Sequence, residues 1–243
     1  MRQFRIFLSV LPALLLSWAS TTAYAHRVEA ENAQGVTIYY NYKYTDNGTE
    51  LEVTYQGSSS YSQYNEYKDE VVIPESVTYN GTTYPVTGIG LCAFAGSDVS
   101  SVTIPSTVTD IVNGAFQNCA KLTRVDIPNS VTTLKSGAFK NCSQLESVTI
   151  GSGVTTISQY AFAHCTKLKE ITIPNTVTTI ENDAFYQCTG LVSVVIGSGV
   201  TTIGSSAFDT CDNMTSVTIL RQQPPSLEGY TYYTFSNRAN ATL

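Results

Sequence analysis

Leu122-Thr123-Arg124-Val125-Asp126-Ile127-Pro128-Asn129-Ser130-Val131-Thr132-Thr133-Leu134-Lys135-Ser136-Gly137-Ala138-Phe139-Lys140-Asn141-Cys142-Ser143-Gln144 is the stretch that decides the fold. Leu122-x-x-Val125-x-Ile127 alternates toward its end, as a strand does. Pro128 stops that strand because it brings no N–H to a ladder. Val131 to Leu134 reads as a second short extended run. Ser136-Gly137-Ala138-Phe139 turns the chain and predicts a single helical turn that Cys142 closes. Eight of the 23 positions are apolar: Leu122, Val125, Ile127, Val131, Leu134, Ala138, Phe139 and Cys142. One such unit cannot bury that set alone. Stacked copies can, each residue lying on its own equivalent in the turns above and below.

The copies are present. Phe116, Phe139, Phe162, Phe185 and Phe208 are each 23 residues apart. Each follows an alanine and precedes a cysteine by three: Cys119, Cys142, Cys165, Cys188 and Cys211. Ile104, Ile127, Ile150, Ile173, Ile196 and Ile219 keep the same phase, as do Leu122, Leu145, Leu168, Leu191 and Met214. At a strand spacing of about 4.8 Å, six units predict a body on the order of 30 Å long. The period and the L-x-x-V-x-I core form a leucine-rich repeat signature.

Ile127-Pro128-Asn129-Ser130-Val131-Thr132-Thr133-Leu134 followed by Ala138-Phe139-x-x-Cys142-x-x-Leu145 resembles the BspA-type leucine-rich repeat family. The pattern recurs from Ile173 to Leu191. Alternate units instead use Ile150-Gly151-Ser152-Gly153-Val154 and Ile196-Gly197-Ser198-Gly199-Val200. The resemblance spans roughly Val71 to Leu220. It implies a right-handed leucine-rich repeat solenoid, β-rich with short helical turns, and an exported or surface-displayed protein. Many family members come from host-associated bacteria, and several are linked to attachment.

The flanks lack the period. Residues 1–25 read as a secretory signal peptide. Arg2 and Arg5 form a positive start, Ile6 to Trp18 an apolar stretch too short to span a bilayer, and Ala23-Tyr24-Ala25 a small-x-small cleavage site. Residues 26–70 read as an N-terminal β-hairpin cap. Val36–Tyr44 and Leu51–Tyr55 are its strands, with Asp46-Asn47-Gly48 as the turn. Its many tyrosines suit a half-buried capping hairpin better than a sugar-stacking patch. Gly57-Ser58-Ser59-Ser60 reads as a flexible loop. The solenoid is assigned to 71–220. Its first unit carries nine extra residues around Val77 to Ile89, where Asn80-Gly81 reads as a small hairpin. Pro224-Pro225 ends the stack, and residues 221–243 read as a partial C-terminal cap, truncated at Leu243.

Composition excludes several functions. With 13 Lys plus Arg against 19 Asp plus Glu, the net charge of −6 offers no basic footprint for nucleic acid or anionic lipid. No later segment can span a membrane as a helix. Six cysteines in an exported chain suggest disulfides. However, five share one column with parallel side chains, which favours free buried thiols over bridges. Cys92 stands outside that column and would be reactive if exposed. No C-x-x-C occurs, so zinc is not expected. After signal cleavage only His26 and His164 remain, and His164 occupies a variable loop position. No catalytic triad, cofactor or phosphate loop is expected, and the protein reads as a non-enzyme.

What remains is surface. Alternation points Ser101, Arg124, Ser147, Glu170, Ser193 and Ser216 outward. It does the same for Thr103, Asp126, Thr149, Thr172, Val195 and Thr218. Thr109, Thr132, Thr155, Thr178 and Thr201 form a second hydroxyl array. Threonine chosen for its β-propensity explains these columns without a ligand. A flat, sparsely charged platform for a protein or glycan is the sharper reading. Arg124, Asp126, Glu170 and Val195 interrupt the hydroxyl pattern and are the candidate ligand contacts. The leading expectation is adhesion to a host or cell-surface protein or glycan through the concave sheet face. The alternative is a structural spacer or self-assembling surface module without a specific ligand. An ice-binding threonine lattice is disfavoured, because sheets twist and charges interrupt the columns.

Overall fold

The computed structural model describes residues 28–55, 66–228 and 234–235. The proposed signal peptide, the Gly57–Ser60 loop and most of the final segment lie outside the described residues.

Each 23-residue unit makes one turn of a β-solenoid with two strands. The longer strands are β4 (Lys68–Val72), β7 (Asp98–Thr103), β9 (Arg124–Ile127), β11 (Ser147–Ile150), β13 (Glu170–Ile173), β15 (Ser193–Ile196) and β17 (Ser216–Ile219). The two-residue strands are β8 (Asp110–Ile111), β10 (Thr133–Leu134), β12 (Thr156–Ile157), β14 (Thr179–Ile180), β16 (Thr202–Ile203) and β18 (Ser226–Leu227). All of these pair in parallel, and equivalent residues face one another: Arg124 with Ser147, Glu170 with Ser193, Ser193 with Ser216. All eight apolar positions of the 122–144 unit are buried. The sequence period is therefore the physical repeat.

The N-terminal segment extends the short-strand sheet. Strands β1 (Val28–Glu31), β2 (Thr37–Thr45) and β3 (Gly48–Thr54) are antiparallel, and β3 runs parallel to β6 (Thr82–Ile89). The nine-residue excess of the first unit is the hairpin of β5 (Ser76–Tyr79) with β6. Asn80 and Gly81 both take positive φ there, at 49° and 78°, as a tight two-residue turn requires. Tyr67 closes the stack. Its ring lies 4.7 Å from that of Phe94, and its hydroxyl donates to the Thr54 carbonyl.

The interior is built in ladders. Rings from Phe94 through Phe116, Phe139, Phe162, Phe185 and Phe208 to Phe235 stack at 4.9–5.4 Å with planes within 9°. Phe235 carries the ring ladder beyond Leu220. It follows Phe208 by 27 residues, and β18 pairs with β16, so a longer turn continues the stack past Pro224-Pro225. Each column thiol donates to the carbonyl of the phenylalanine one turn back, as Cys142 Sγ does to Phe116 O at 3.1 Å. All six cysteines are free.

The expected helical turn before Cys142 is absent. Among the described residues there is no helix, and the segment is a run of tight turns. Its amides alternate in direction. Gly137, Phe139 and Asn141 donate to Gln159, Ala161 and Ala163 of the next turn, while Ala138, Lys140 and Cys142 donate back three residues. Half the N–H groups a helix would use are committed to the neighbouring copy. Positive φ at Gly137 (64°) and Asn141 (61°) sets the corners.

Both ladders lapse around one turn. Strand β11 is not laddered to β13, nor β10 to β12, among the described residues. Phe162, in that turn, stands 5.4 Å from the rings on either side, against 4.9–5.2 Å elsewhere.

Candidate functional site

The long-strand sheet turns its outer face to solvent. On β9, Val125 and Ile127 point inward, so Arg124 and Asp126 must share the outside. The two meet. Arg124 Nη2 lies 2.6 Å and Nε 3.1 Å from Asp126 Oδ2, with both side chains more than half exposed. A hydrogen bond from Thr149 on β11, with help from Arg124, holds the Asp126 carboxyl below its ordinary value. Such an exposed pair contributes about 0–1 kcal/mol. Its consequence is to neutralise the patch rather than to brace the fold.

Glu170 stands in the Arg124 column two turns further on, exposed and apart from that pair. Val195 lies in the Asp126 column between Thr172 and Thr218 and is half-buried. The four candidates therefore lie on one face, but only Arg124 and Asp126 touch.

The other sheet treats its hydroxyls differently. Thr178 and Thr201 each donate to the carbonyl of the equivalent position one turn back, at 3.1–3.2 Å, and Ser226 donates to Thr201 O at 3.0 Å. This array is spent on holding turns together. Sequence reasoning also missed a polar clasp where the cap joins the solenoid. Lys43 Nζ lies 2.7 Å from Asp110 Oδ2 and 3.8 Å from Glu50, which accepts a hydrogen bond from Thr87. Burial raises the Asp110 carboxyl, but hydrogen bonds from Lys43 and Thr109 outweigh it, and its pKa lies below the ordinary value. The hairpin turn at 46–48 could have signalled the Lys43–Glu50 pairing. Asp110, by contrast, occupies a column that the next four turns fill with threonine.

His164 is a corner residue. Its φ of 62° matches Asn118, Asn141, Gln187 and Thr210 in the same column, and its ring meets Tyr186 edge-on at 5.5 Å. Burial drives the Cys165 and Cys188 thiols well up, the latter to about 12, and so withholds the thiolate that reactivity needs. Cys92 is half-buried, and burial raises its pKa too. Among the described residues, no three His, Cys, Asp or Glu side chains gather as a metal-ligand set. Nor is any helix there long and apolar enough to cross a membrane.

The sequence profile described as "BspA type Leucine rich repeat region" matches six copies, over residues 59–191 and 155–243. No curated protein matches the chain. Among solved structures, a leucine rich cell surface protein of Faecalibacterium prausnitzii is 26% identical with a TM-score of 0.55, over 80% of this chain and 40% of that one. The T. pallidum leucine rich repeat protein is 26% identical with a TM-score of 0.50, over 73% and 67%. A leucine-rich repeat protein of Eubacterium ventriosum shares the fold at 23% identity and a TM-score of 0.62, over 82% and 50%. The chain thus spans about half or less of the F. prausnitzii and E. ventriosum proteins.

Proposed function

Since the chain belongs to the BspA-type leucine-rich repeat family, we propose that it is an exported, surface-acting binding protein that engages a protein or glycan through its long-strand sheet. The contrast between the two sheets carries this reading. The short-strand hydroxyls hold the turns together, whereas Arg124, Asp126, Glu170 and Val195 stand on a face with little structural duty. That face is low in net charge, which suits a broad contact rather than capture of one ion. The F. prausnitzii cell-surface protein supports a surface location. No catalytic step is proposed, because His164 serves as a backbone corner and the column thiols are buried.

The test is a screen of the folded chain from His26 onward against extracellular-matrix proteins and a glycan array. A saturable hit weakened by Arg124→Ala or Glu170→Ala supports the proposal. A hit indifferent to both substitutions, or no hit from folded protein, favours a passive spacer.

A further inference from the structure

The ridge of turns between the two sheets carries a depression about 250 Å³ in volume. It arises from two missing side chains. In the left-handed column that carries Cys92, Tyr160, Asp183 and Ser206, two successive turns have Gly114 and Gly137 instead. These glycines floor a notch two turns wide. Leu91 and Cys92 wall it at one end and Tyr160 at the other, with Asn113, Gln117 and Lys140 along it.

We propose that this notch binds a carboxylate-bearing sugar residue, of the uronic-acid type, presented by a glycan. Lys140 is the sole charged lining residue, in a chain of net charge −6. Its Nζ lies 4.9 Å from the centroid of the Tyr160 ring, a weak partner that a carboxylate outcompetes. Among the described residues it forms no ion pair. The Tyr160 ring supplies an apolar face for the C–H surface of a sugar, while Asn113 and Gln117 supply amide donors and acceptors for hydroxyls. The volume falls below the roughly 300–1,000 Å³ of pockets for drug-sized ligands and suits one monosaccharide ring.

The chemistry argues against a phosphate. The floor amides are already used, Gly114 N–H on Ser136 O and Gly137 N–H on Gln159 O, so no backbone nest is free. One lysine also matches a single negative charge better than two. Asp183, hydrogen-bonded to Tyr160 but outside the lining, further limits the anionic charge the notch accepts. The notch lies apart from the long-strand face, so it stands or falls independently of the role proposed for that face.

Cys92 is a built-in reporter, because the other five thiols are fully buried. The experiment follows alkylation of the native protein by N-ethylmaleimide with and without sodium glucuronate, with glucose as the neutral control. The expected result is a several-fold, saturable slowing of Cys92 modification by glucuronate. Glucose leaves the rate unchanged, and Lys140→Gln and Tyr160→Ala each abolish the protection. Equal protection by glucose, no protection by glucuronate, or protection that survives Lys140→Gln overturns the proposal.

Discussion

Gly151 lies so close to the Pro128 carbonyl of the preceding turn that a Cβ at position 151 would overlap it. Gly197 stands in the same relation to Pro174. Beside each contact an asparagine side chain crosses the gap. Asn129 Oδ1 accepts from Ser152 N at 2.8 Å, and Asn175 Oδ1 from Ser198 N at 2.9 Å. The alternation of Pro-Asn with Gly-Ser-Gly turns is thus a mating pair: one turn projects a carbonyl and an amide, and the next gives up its side chains to receive them. Gly151→Ala is expected to destabilise the protein by about 1–3 kcal/mol through overpacking, read by urea denaturation. An unchanged midpoint would show that the turns are not in contact there.

The phenylalanine ladder sets the cohesion between turns. Phe162→Ala removes a fully buried ring with a stacked neighbour on each side and is expected to cost about 3–5 kcal/mol in a denaturant melt. Phe235→Ala, at the half-buried end of the ladder, is expected to cost clearly less. Equal costs at the two sites would contradict a stack with an interior and an end.

Alkali should weaken the fold through the cysteine column. Burial raises the Cys188 thiol to about 12, whereas the unfolded thiol titrates near about 8.5. Below the unfolded value both states are protonated and stability is intact. As pH rises from there toward the folded value, the unfolded state sheds its proton first, at a cost of about 1.4 kcal/mol per pH unit for each such thiol. The melting temperature is expected to fall above about pH 9, and Cys188→Ala to make that fall shallower. A slope identical in Cys188→Ala would remove the column as its cause.

The turn around Phe162 is the weak point of the stack, because a ladder lapses on each side of it. Hydrogen exchange is expected to be faster in Ser147–Ile150 than in Ser193–Ile196, which is laddered on both sides. Equal protection of the two strands would show that the turn is closed in solution.

Much of this was legible because a solenoid writes each contact into the sequence several times. Phe139 stacks on Phe116 because both are phenylalanines in one phase, and the cysteine ladder could be read the same way. Phe235 was not read, since an insertion shifts its spacing to 27 and Thr234 replaces the usual alanine. The structure has no helical turn there because, although Ser136 to Phe139 reads locally as a helix start, half of its amides are claimed by the neighbouring turn. The Lys43–Asp110 clasp and the notch over Gly114 and Gly137 are departures from the repeat. A period conceals its own exceptions, and candidate sites are found among them.

The most direct test of the account compares one arginine placed on each sheet of a single turn. Thr172 and Thr178 are both exposed, but Thr172 lies on the long-strand face while the Thr178 hydroxyl donates to Thr155 O at 3.2 Å. For a ligand retained in the binding screen, Thr172→Arg is expected to weaken affinity at least tenfold, about 1.4 kcal/mol, and leave the melting temperature unchanged. Thr178→Arg is expected to lower the melting temperature and leave affinity intact. Undiminished binding by Thr172→Arg, with binding lost in a folded Thr178→Arg protein, would contradict the assignment of function to the long-strand face.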